Sequence, residues 1–437
     1  MSRFATLAGG LALMLAACTN SVAQEPAQPA TSAPPPTTTT TTLPPTTTTT
    51  TLPPTTTTTT TIPVFDLAGS VSTSDGLPLP GAVVAVSGSE VTTGPDGLFA
   101  LTGVPAGPVS VTRPAWLGVE VPWTGEARVD VALEPRIVKA LRVSKYVAAD
   151  PDQFTALLDL AERTAVNALV FDTKDESGYV LYETDVEAAA ALDSVRPMYD
   201  VKTQLAEAKS RGFYTITRIV SFEDQAWVAA DPDAKLAGRW IDPRDSENWE
   251  YPLALAVEAC ELGFDEIQFD YVRFPAGKTA AAAQRSNPTT EETRLSSIQA
   301  YLAEGRARLH PLGCAVSADI FAIVLSAPND QGIGQRPEEV SAVVDAVSPM
   351  IYPSHYSNGW LGFEDPNDHP GPVTADALDD GIPRLQQPAL MRPWLQAFWW
   401  TSSQIAASIA EAEERGLGWI LWNAAGSYPE SAIPKDE

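Results

Sequence analysis

The chain reads as an α/β protein: a (β/α)8 TIM barrel preceded by a small β-sandwich and a disordered Thr/Pro-rich stalk. Three observations predict this. Composition changes along the chain, with 38 prolines unevenly spread and threonine tracts crowded before residue 63. From residue 66 to about 135, short strand signals follow one another with no helical period, the pattern of a sandwich. From 136 to 437, strand and amphipathic-helix signals alternate regularly through eight strands, as in a parallel barrel with crossover helices. An open doubly wound sheet is the runner-up, and no Gly-rich dinucleotide loop supports it.

The bulk properties bound the answer. At 437 residues with 44% hydrophobic content, the chain can form two or three domains and bury a large core in at least one. A net charge of −27 argues against nucleic acid or anionic lipid head groups as electrostatic partners. The cysteines, Cys18, Cys260 and Cys314, are too few for a disulfide scaffold and lack metal-ligand spacing. Cys260 and Cys314 either pair or stay as buried thiols, and the thiol reading is favoured. Asp365, Asp368 and His369 suggest a metal loop, but their Pro-Asn-Asp-His-Pro setting reads better as a turn, so neither metal nor cofactor is expected.

Residues 1–18 carry an early cation, Arg3, and an apolar run from Leu7 to Ala17 interrupted by Gly9 and Gly10. This has the form of an export signal and is too short to span a bilayer securely. It ends Leu15-Ala16-Ala17-Cys18, which resembles the bacterial lipoprotein signal. The resemblance implies cleavage before Cys18, acylation of that cysteine and residence on the extracellular face of the cell membrane. An ordinary secretory signal cut near Ala17 is the alternative. Residues 19–65 form the stalk, with Leu43-Pro44-Pro45 and Leu52-Pro53-Pro54 set between threonine tracts. Threonine and proline bury too little apolar surface to offset the entropy of folding, and proline biases the chain to an extended conformer.

Residues 66–135 carry strand-like runs over Ala82–Val86, Leu98–Leu101, Val109–Thr112 and Ala127–Leu133, separated by turn clusters such as Asp75-Gly76 and Gly94-Pro95-Asp96-Gly97. The order of Gly69-Ser70-Val71, Gly76 through Val84, Thr92 through Phe99 and Val104-Pro105-Ala106-Gly107 resembles the carboxypeptidase regulatory-like domain. That resemblance implies an immunoglobulin-like sandwich without catalysis of its own, a spacer or adhesion module.

In residues 136–437 the expected strands are Ala140–Val147, Asn167–Thr173, Tyr214–Val220, Glu266–Val272, Ala315–Phe321, Ala346–Tyr352, Pro393–Phe398 and Gly418–Asn423. The expected helices are Pro151–Arg163 behind Asp150, Val201–Arg211, Glu247–Leu262 and Glu291–Leu309, then Pro337–Val344, Thr374–Leu385 and Ser402–Arg415. Gly212, Gly263 and Gly416 stand where helices end. The fourth strand organises the reading: Ile267, Phe269 and Tyr271 alternate with Gln268, Asp270 and Val272, and Pro275 stops the run.

In a parallel barrel the chemistry sits at the carboxyl ends of the strands. Those ends bring Lys145, Tyr146, Asp172, Lys174, Asp175, Arg218, Asp270, Arg273 and Asp319 to one face. Tyr352, Ser354, His355, Trp394, Gln396, Trp422 and Asn423 complete it. Carboxylates among aromatics, arginine and amides suit a pyranose, whose faces are apolar and whose rim is hydroxyl. Glycosidic cleavage needs one carboxyl as acid and another as nucleophile or base.

From about Ala140 onward the chain resembles the DUF4015 family of glycoside hydrolases. The matching stretches include Asn167 through Lys174, Arg218-Ile219-Val220, Gly263 through Pro275, Val316 through Phe321 and Gly332 through Gln335. Ser348 through Tyr356, Arg392 through Gln396 and Gly418 through Asn423 continue the series. The family implies a barrel related to the α-amylase-type hydrolases, where the nucleophile ends strand four and the acid ends strand five. That selects Asp270 and Asp319, with Asp172 in reserve. Amylase-type enzymes usually carry Glu as the acid, so Asp319 departs by one methylene. Substrate contacts are expected from Lys174, Arg218, Arg273, Tyr352, His355, Trp394, Gln396, Trp422 and Asn423.

Each assignment has a structural competitor. Asp270 would merely pair with Arg273, and Asp319 would cap a loop. Lys174 is expected to orient Asp172 rather than to react, and His355 is as readily a structural group as a hydroxyl ligand. Trp419 and Trp422 have odd spacing on one strand, so one of them must face the helices. The expected protein is a monomeric, surface-tethered glycoside hydrolase acting on a polysaccharide. The alternative is a carbohydrate-binding barrel without catalysis; a deacetylase is disfavoured because no histidine cluster is available for a metal.

Overall fold

The computed structural model describes residues 62–435; the expected export signal, Cys18 and nearly all of the Thr/Pro segment lie outside them. Among the described residues no helix is long and apolar enough to cross a membrane.

Residues 64–133 form two sheets around one core. Val64–Thr73 pairs antiparallel with Leu98–Pro105 and parallel with Arg128–Leu133. Val83–Val86 pairs with Ser89–Thr92 and Val109–Thr112, and the last of these pairs with Val119–Val121. Alternate residues point inward, so Leu67, Val71, Val84, Val86, Val109, Val111 and Leu133 meet around Trp116 and Trp123. Three of these strands, Val64–Thr73, Ser89–Thr92 and Val119–Val121, have no counterpart in the sequence reading. The last two are short and half exposed, so they carry little apolar signal.

The remainder is a closed parallel barrel. Its strands are β1 (Lys139–Val143), β2 (Ala168–Lys174), β3 (Tyr214–Val220), β4 (Glu266–Asp270), β5 (Ala315–Phe321), β6 (Ala346–Ile351), β7 (Trp394–Gln396) and β8 (Trp419–Trp422). Neighbours pair in chain order, and closure comes from β8 on β1. The principal outer helices are Pro151–Glu162, Val201–Ser210, Glu250–Leu262, Glu291–Leu309, Pro370–Gly381 and Ser402–Glu414.

The first and seventh strands fall furthest short of their expected lengths. β1 ends at Val143 because the Ser144 hydroxyl accepts from the Val147 amide at 3.4 Å and starts a short helix, Lys145–Ala149. The seventh stave is broken into Leu390–Met391 and Trp394–Gln396, with Pro393, which has no N–H for the ladder, between them.

The sandwich closes the amino-terminal end of the barrel. Ala315, the first residue of β5, belongs to the sandwich core, and Leu390 packs against it. Arg113 reaches Asp345, just ahead of β6, at 3.4 Å in a fully buried contact. Cys260 and Cys314 are joined in a disulfide with their Cα atoms 6.0 Å apart, which corrects the expectation of thiols. The bridge ties the helix before β4 to the start of β5.

Inside the barrel, a polar cluster lies near the amino-terminal end. Arg392 pairs with Glu266, which also accepts from Ser317 and, at 3.2 Å, from the Tyr214 hydroxyl. Both charges are buried, so removing one strands the other in a low-dielectric core. Glu266→Leu should lower the unfolding free energy by about 3–5 kcal/mol, whereas Glu266→Leu with Arg392→Met should recover most of it. Denaturant midpoints at constant slope would check this; equal losses in the single and double variants would refute it.

Candidate active site

The preceding helix ends at Gly263, whose φ of 108° is one that side chains avoid, and the chain turns into β4. Along β4 Ile267 and Phe269 pack outward against the helical layer. Gln268 points into the barrel, where its amide donates to Ser348 at 3.1 Å, and Asp270 follows on the same face two residues on. The strand stops hard after Asp270. Tyr271 takes a left-handed φ of 48°, and its amide donates to Asp270 Oδ1 at 2.5 Å. Such strain persists where the surroundings enforce it, and here it aims a carboxylate.

Arg218 on β3 holds the other oxygen. Its Nε and Nη2 donate to Asp270 Oδ2 at 2.8 and 2.6 Å, and its Nη1 reaches Asp172 Oδ1 at 2.9 Å. Asp172 Oδ2 is taken by Arg142 of β1. The Arg142 and Arg218 guanidiniums lie 4.0 and 5.0 Å from the centre of the Trp422 ring. Charges therefore alternate Arg142, Asp172, Arg218, Asp270 along three adjacent staves and β4. Each is buried and multiply bonded, so Asp270 has little freedom to turn away.

Asp319 stands on the neighbouring stave, one step past the register pair Phe269–Ala318, as Asp270 does on β4. Adjacent strands run about 4.8 Å apart, so the two carboxyls are close. Asp319 Oδ1 accepts from the Trp394 indole at 2.7 Å, and its Oδ2 is buried without a partner. Burial, and then the neighbouring Asp270 charge, push the Asp319 carboxyl well above the usual range. The pair thus combines a carboxylate ion-paired with Arg218 and a carboxyl whose burial favours the protonated form.

The strand ends open into a cleft of about 550 Å³. Arg218, Asp270, Tyr271, Arg273, Phe321, Tyr352, His355, Tyr356, Trp360, Trp394 and Trp422 line it. Asp270 is the one carboxylate among the described lining residues, and Asp319, which is buried and is not among them, is bonded to the lining residue Trp394. Burial lowers the pKa of His355, which packs edge-on to Tyr352 at 5.3 Å, so its imidazole is neutral at pH 7.

Several expected site residues are engaged elsewhere. Lys174 does not orient Asp172: its ammonium is buried, pairs with Asp224 at 2.8 Å and donates to the Val220 carbonyl at 2.8 Å. Asp172 itself has both oxygens committed to arginines, so it positions Arg218 and offers no free acid. Gln396 accepts from Ser354 at 2.9 Å and donates to Asn367 and the Phe398 carbonyl, holding the β6 and β7 loops together. Asn423 is likewise spent, donating to the Ala397 carbonyl at 2.7 Å and accepting from the Ala425 amide at 2.9 Å. The expected competitor pair of Asp270 with Arg273 is absent among the described residues; Arg218 takes that place. Trp422 faces the cleft, while Trp419 is buried with the helices and donates to Glu413.

Sequence reasoning passed over Arg142 because strand one carried no motif, and over Tyr271, Phe321, Tyr356 and Trp360 because aromatic residues read first as core. Glu176 was also missed. Its carboxylate is half exposed and stands 3.5 Å from Arg218. The acidic string Asp172-Thr173-Lys174-Asp175-Glu176 carried the signal. Lys145, expected at a strand end, pairs with Asp175 at 2.6 Å at the rim.

Comparison with known proteins adds to this geometry. A family model, DUF4015, described as "Putative glycosyl hydrolase domain", matches residues 140–428. No curated protein matches the chain. Among solved structures, a hypothetical protein from Ruminiclostridium thermocellum ATCC 27405 is similar at 30% identity, over 41% of this chain and 96% of its own, with a TM-score of 0.35. The glycoside hydrolase domain of PgaB (BpsB) from Bordetella bronchiseptica aligns over 69% of this chain and 99% of its own at 13% identity and a TM-score of 0.50, a likeness of fold. The glycoside hydrolase domain of PelA from Pseudomonas aeruginosa aligns over 67% of this chain and 97% of its own at 13% identity, with a TM-score of 0.39.

Proposed function

This chain belongs to the DUF4015 family, and on that premise we propose that it is a glycoside hydrolase of an extracellular or cell-envelope polysaccharide, with Asp270 as nucleophile and Asp319 as acid. The observation that carries the reading is the contrast between the two carboxyls. Asp270 faces the cleft, ion-paired with Arg218 and bonded to the Tyr271 amide, and Asp319, on the next stave, has its carboxyl pushed well above the usual range by burial and by the Asp270 charge. Asp270 has lone pairs left over from those hydrogen bonds to attack an anomeric carbon. Asp319 would give its proton to the departing glycosidic oxygen, then take one from the water that releases the glycosyl intermediate.

Asp270 and Asp319 follow a register pair on adjoining strands whose backbones lie about 4.8 Å apart, which favours the short carboxyl separation of enzymes that retain anomeric configuration. The intact protein should therefore release reducing ends from at least one polysaccharide in a broad panel, and the first-formed anomer should keep the configuration of the bond cleaved. Proton NMR of the nascent product reads this directly; an inverted product would recast Asp270 as a base acting on water.

The burial of Asp319 favours a second reading, a carbohydrate-binding barrel that does not cleave. It predicts saturable binding with no reducing ends released. In either case we place the protein outside the cell as a monomer, tethered through acylated Cys18 with the Thr/Pro stalk and the regulatory-like sandwich as spacers. Mass spectrometry of the membrane fraction tests the tether, and an unmodified amino terminus near Ala17 would replace it with secretion.

A further inference from the structure

Five arginines are buried among the described residues: Arg113, Arg142, Arg218, Arg273 and Arg392. Four of them have a carboxylate partner, namely Asp345, Asp172, Asp270 and Glu266. Arg273 has none. Its single hydrogen bond runs from Nη1 to the adjacent Phe274 carbonyl at 3.0 Å. Aromatic rings hold the guanidinium in place, with its centre 4.5 Å from the Trp240 ring, 4.3 Å from Phe321 and 5.3 Å from Tyr271. It lines the cleft three residues after Asp270, so its unused N–H groups face the space a substrate fills.

The charges of Asp270 and Glu223 act on Arg273 only from beyond ion-pair distance; burying a cation without a directly bonded counter-charge is costly, and stacking on aromatic faces recovers only part of that cost. Each of the other buried arginines has a carboxylate partner within the chain, although the Nε of Arg142 and of Arg392 makes no hydrogen bond; the missing carboxylate leaves a partner for Arg273 to come from outside. A guanidinium fork matches a carboxylate with two parallel hydrogen bonds, where a neutral hydroxyl uses one. We propose that Arg273 is a specificity residue for a sugar carboxylate, and that the substrate is an acidic polysaccharide containing uronic acid. This rests on the hydrolase reading for the identity of the cleft. The overall charge of −27 does not oppose it, because exposed charges more than about 8 Å away are screened at physiological salt while a buried contact is not.

The test is binding first and turnover second. The intact protein is titrated with oligosaccharides of glucuronic, galacturonic, mannuronic and guluronic acid, and with the same oligosaccharides after their carboxyls are reduced to alcohols. At least one acidic series should bind on the order of 100-fold more tightly than its reduced counterpart, and Arg273→Met should erase that ratio. Arg273→Lys keeps the charge but loses the fork, so it should recover only part of the ratio and guards against a folding defect in the methionine variant. No preference for any acidic form, or a preference that survives both substitutions, would overturn the proposal. The hydrolase reading fails separately, if Asp270→Asn still cleaves whichever polymer the wild-type protein cleaves.

Discussion

Asp270→Asn is expected to reduce turnover on order of 10⁴-fold or more while leaving a folded barrel, since nothing else in the cleft can replace a carboxylate nucleophile. The amide retains an oxygen for the Tyr271 N–H, which now sits 2.5 Å from Oδ1. Arg218 loses one partner but keeps Asp172 at 2.9 Å. The cost in stability should therefore stay below about 3 kcal/mol, the low end for breaking a buried pair. Circular dichroism and a thermal melt check the fold; reducing-end release checks activity. A smaller side chain gives a sharper test. With Asp270→Gly and added azide, the anion should attack from the vacated face and displace the leaving group, yielding a glycosyl azide of inverted configuration. Undiminished cleavage in the asparagine variant would remove Asp270 from the chemistry.

Asp319→Asn should cost about 10²–10⁴-fold on unactivated glycosides, the usual contribution of a positioned acid. It should cost far less on aryl glycosides, whose leaving oxygens need no proton. A residue that only shaped the cleft would lose both alike. The same substitution should raise stability at neutral pH. Unfolded, Asp319 titrates near pH 3.9. Folded, burial first and Asp270 second hold its carboxyl well above that. Between the two values the folded protein keeps a proton that the unfolded chain releases, so wild-type stability falls as pH rises through that window. Asparagine has no proton to lose. The advantage of the variant should be absent at pH 3 and grow on moving to pH 7, as read by denaturant unfolding. A difference that did not change with pH would mean Asp319 is ionised in the folded protein, and the acid assignment would fall.

The barrel was legible because its strands obey two periods at once. In β4 the outward Ile267 and Phe269 meet helices, and the inward Gln268 and Asp270 meet the lumen, so alternation announced both the strand and the face. Helix ends were equally plain where chemistry marks them, as with Asp150, which caps Pro151–Glu162, and Gly263. Gly277–Ser286 escaped because its apolar side is made of alanines, of which only Ala283 is buried, and side chains that small give a weak signal of a core-facing helix. Partnership was less visible than position. Lys174 and Asp172 lie two residues apart in the chain, yet each is claimed by a different strand or loop, and no local pattern reveals a cross-stave ion pair. The competing pair of Asp270 with Arg273 rested on the same proximity in sequence, and the barrel gives that bond to Arg218.

The seating of Arg113 against Asp345 alters where one should cut this gene. Residue 136 looks like a natural border, because motif and composition both change there. A fragment starting at that point, however, would leave Asp345 without its guanidinium neighbour and uncover Ala315 and Leu390, which now share the core of the preceding module. The inherited parts and the cooperative part are not the same object. The two modules share a common foundation, and the sandwich serves as the plinth on which the barrel stands.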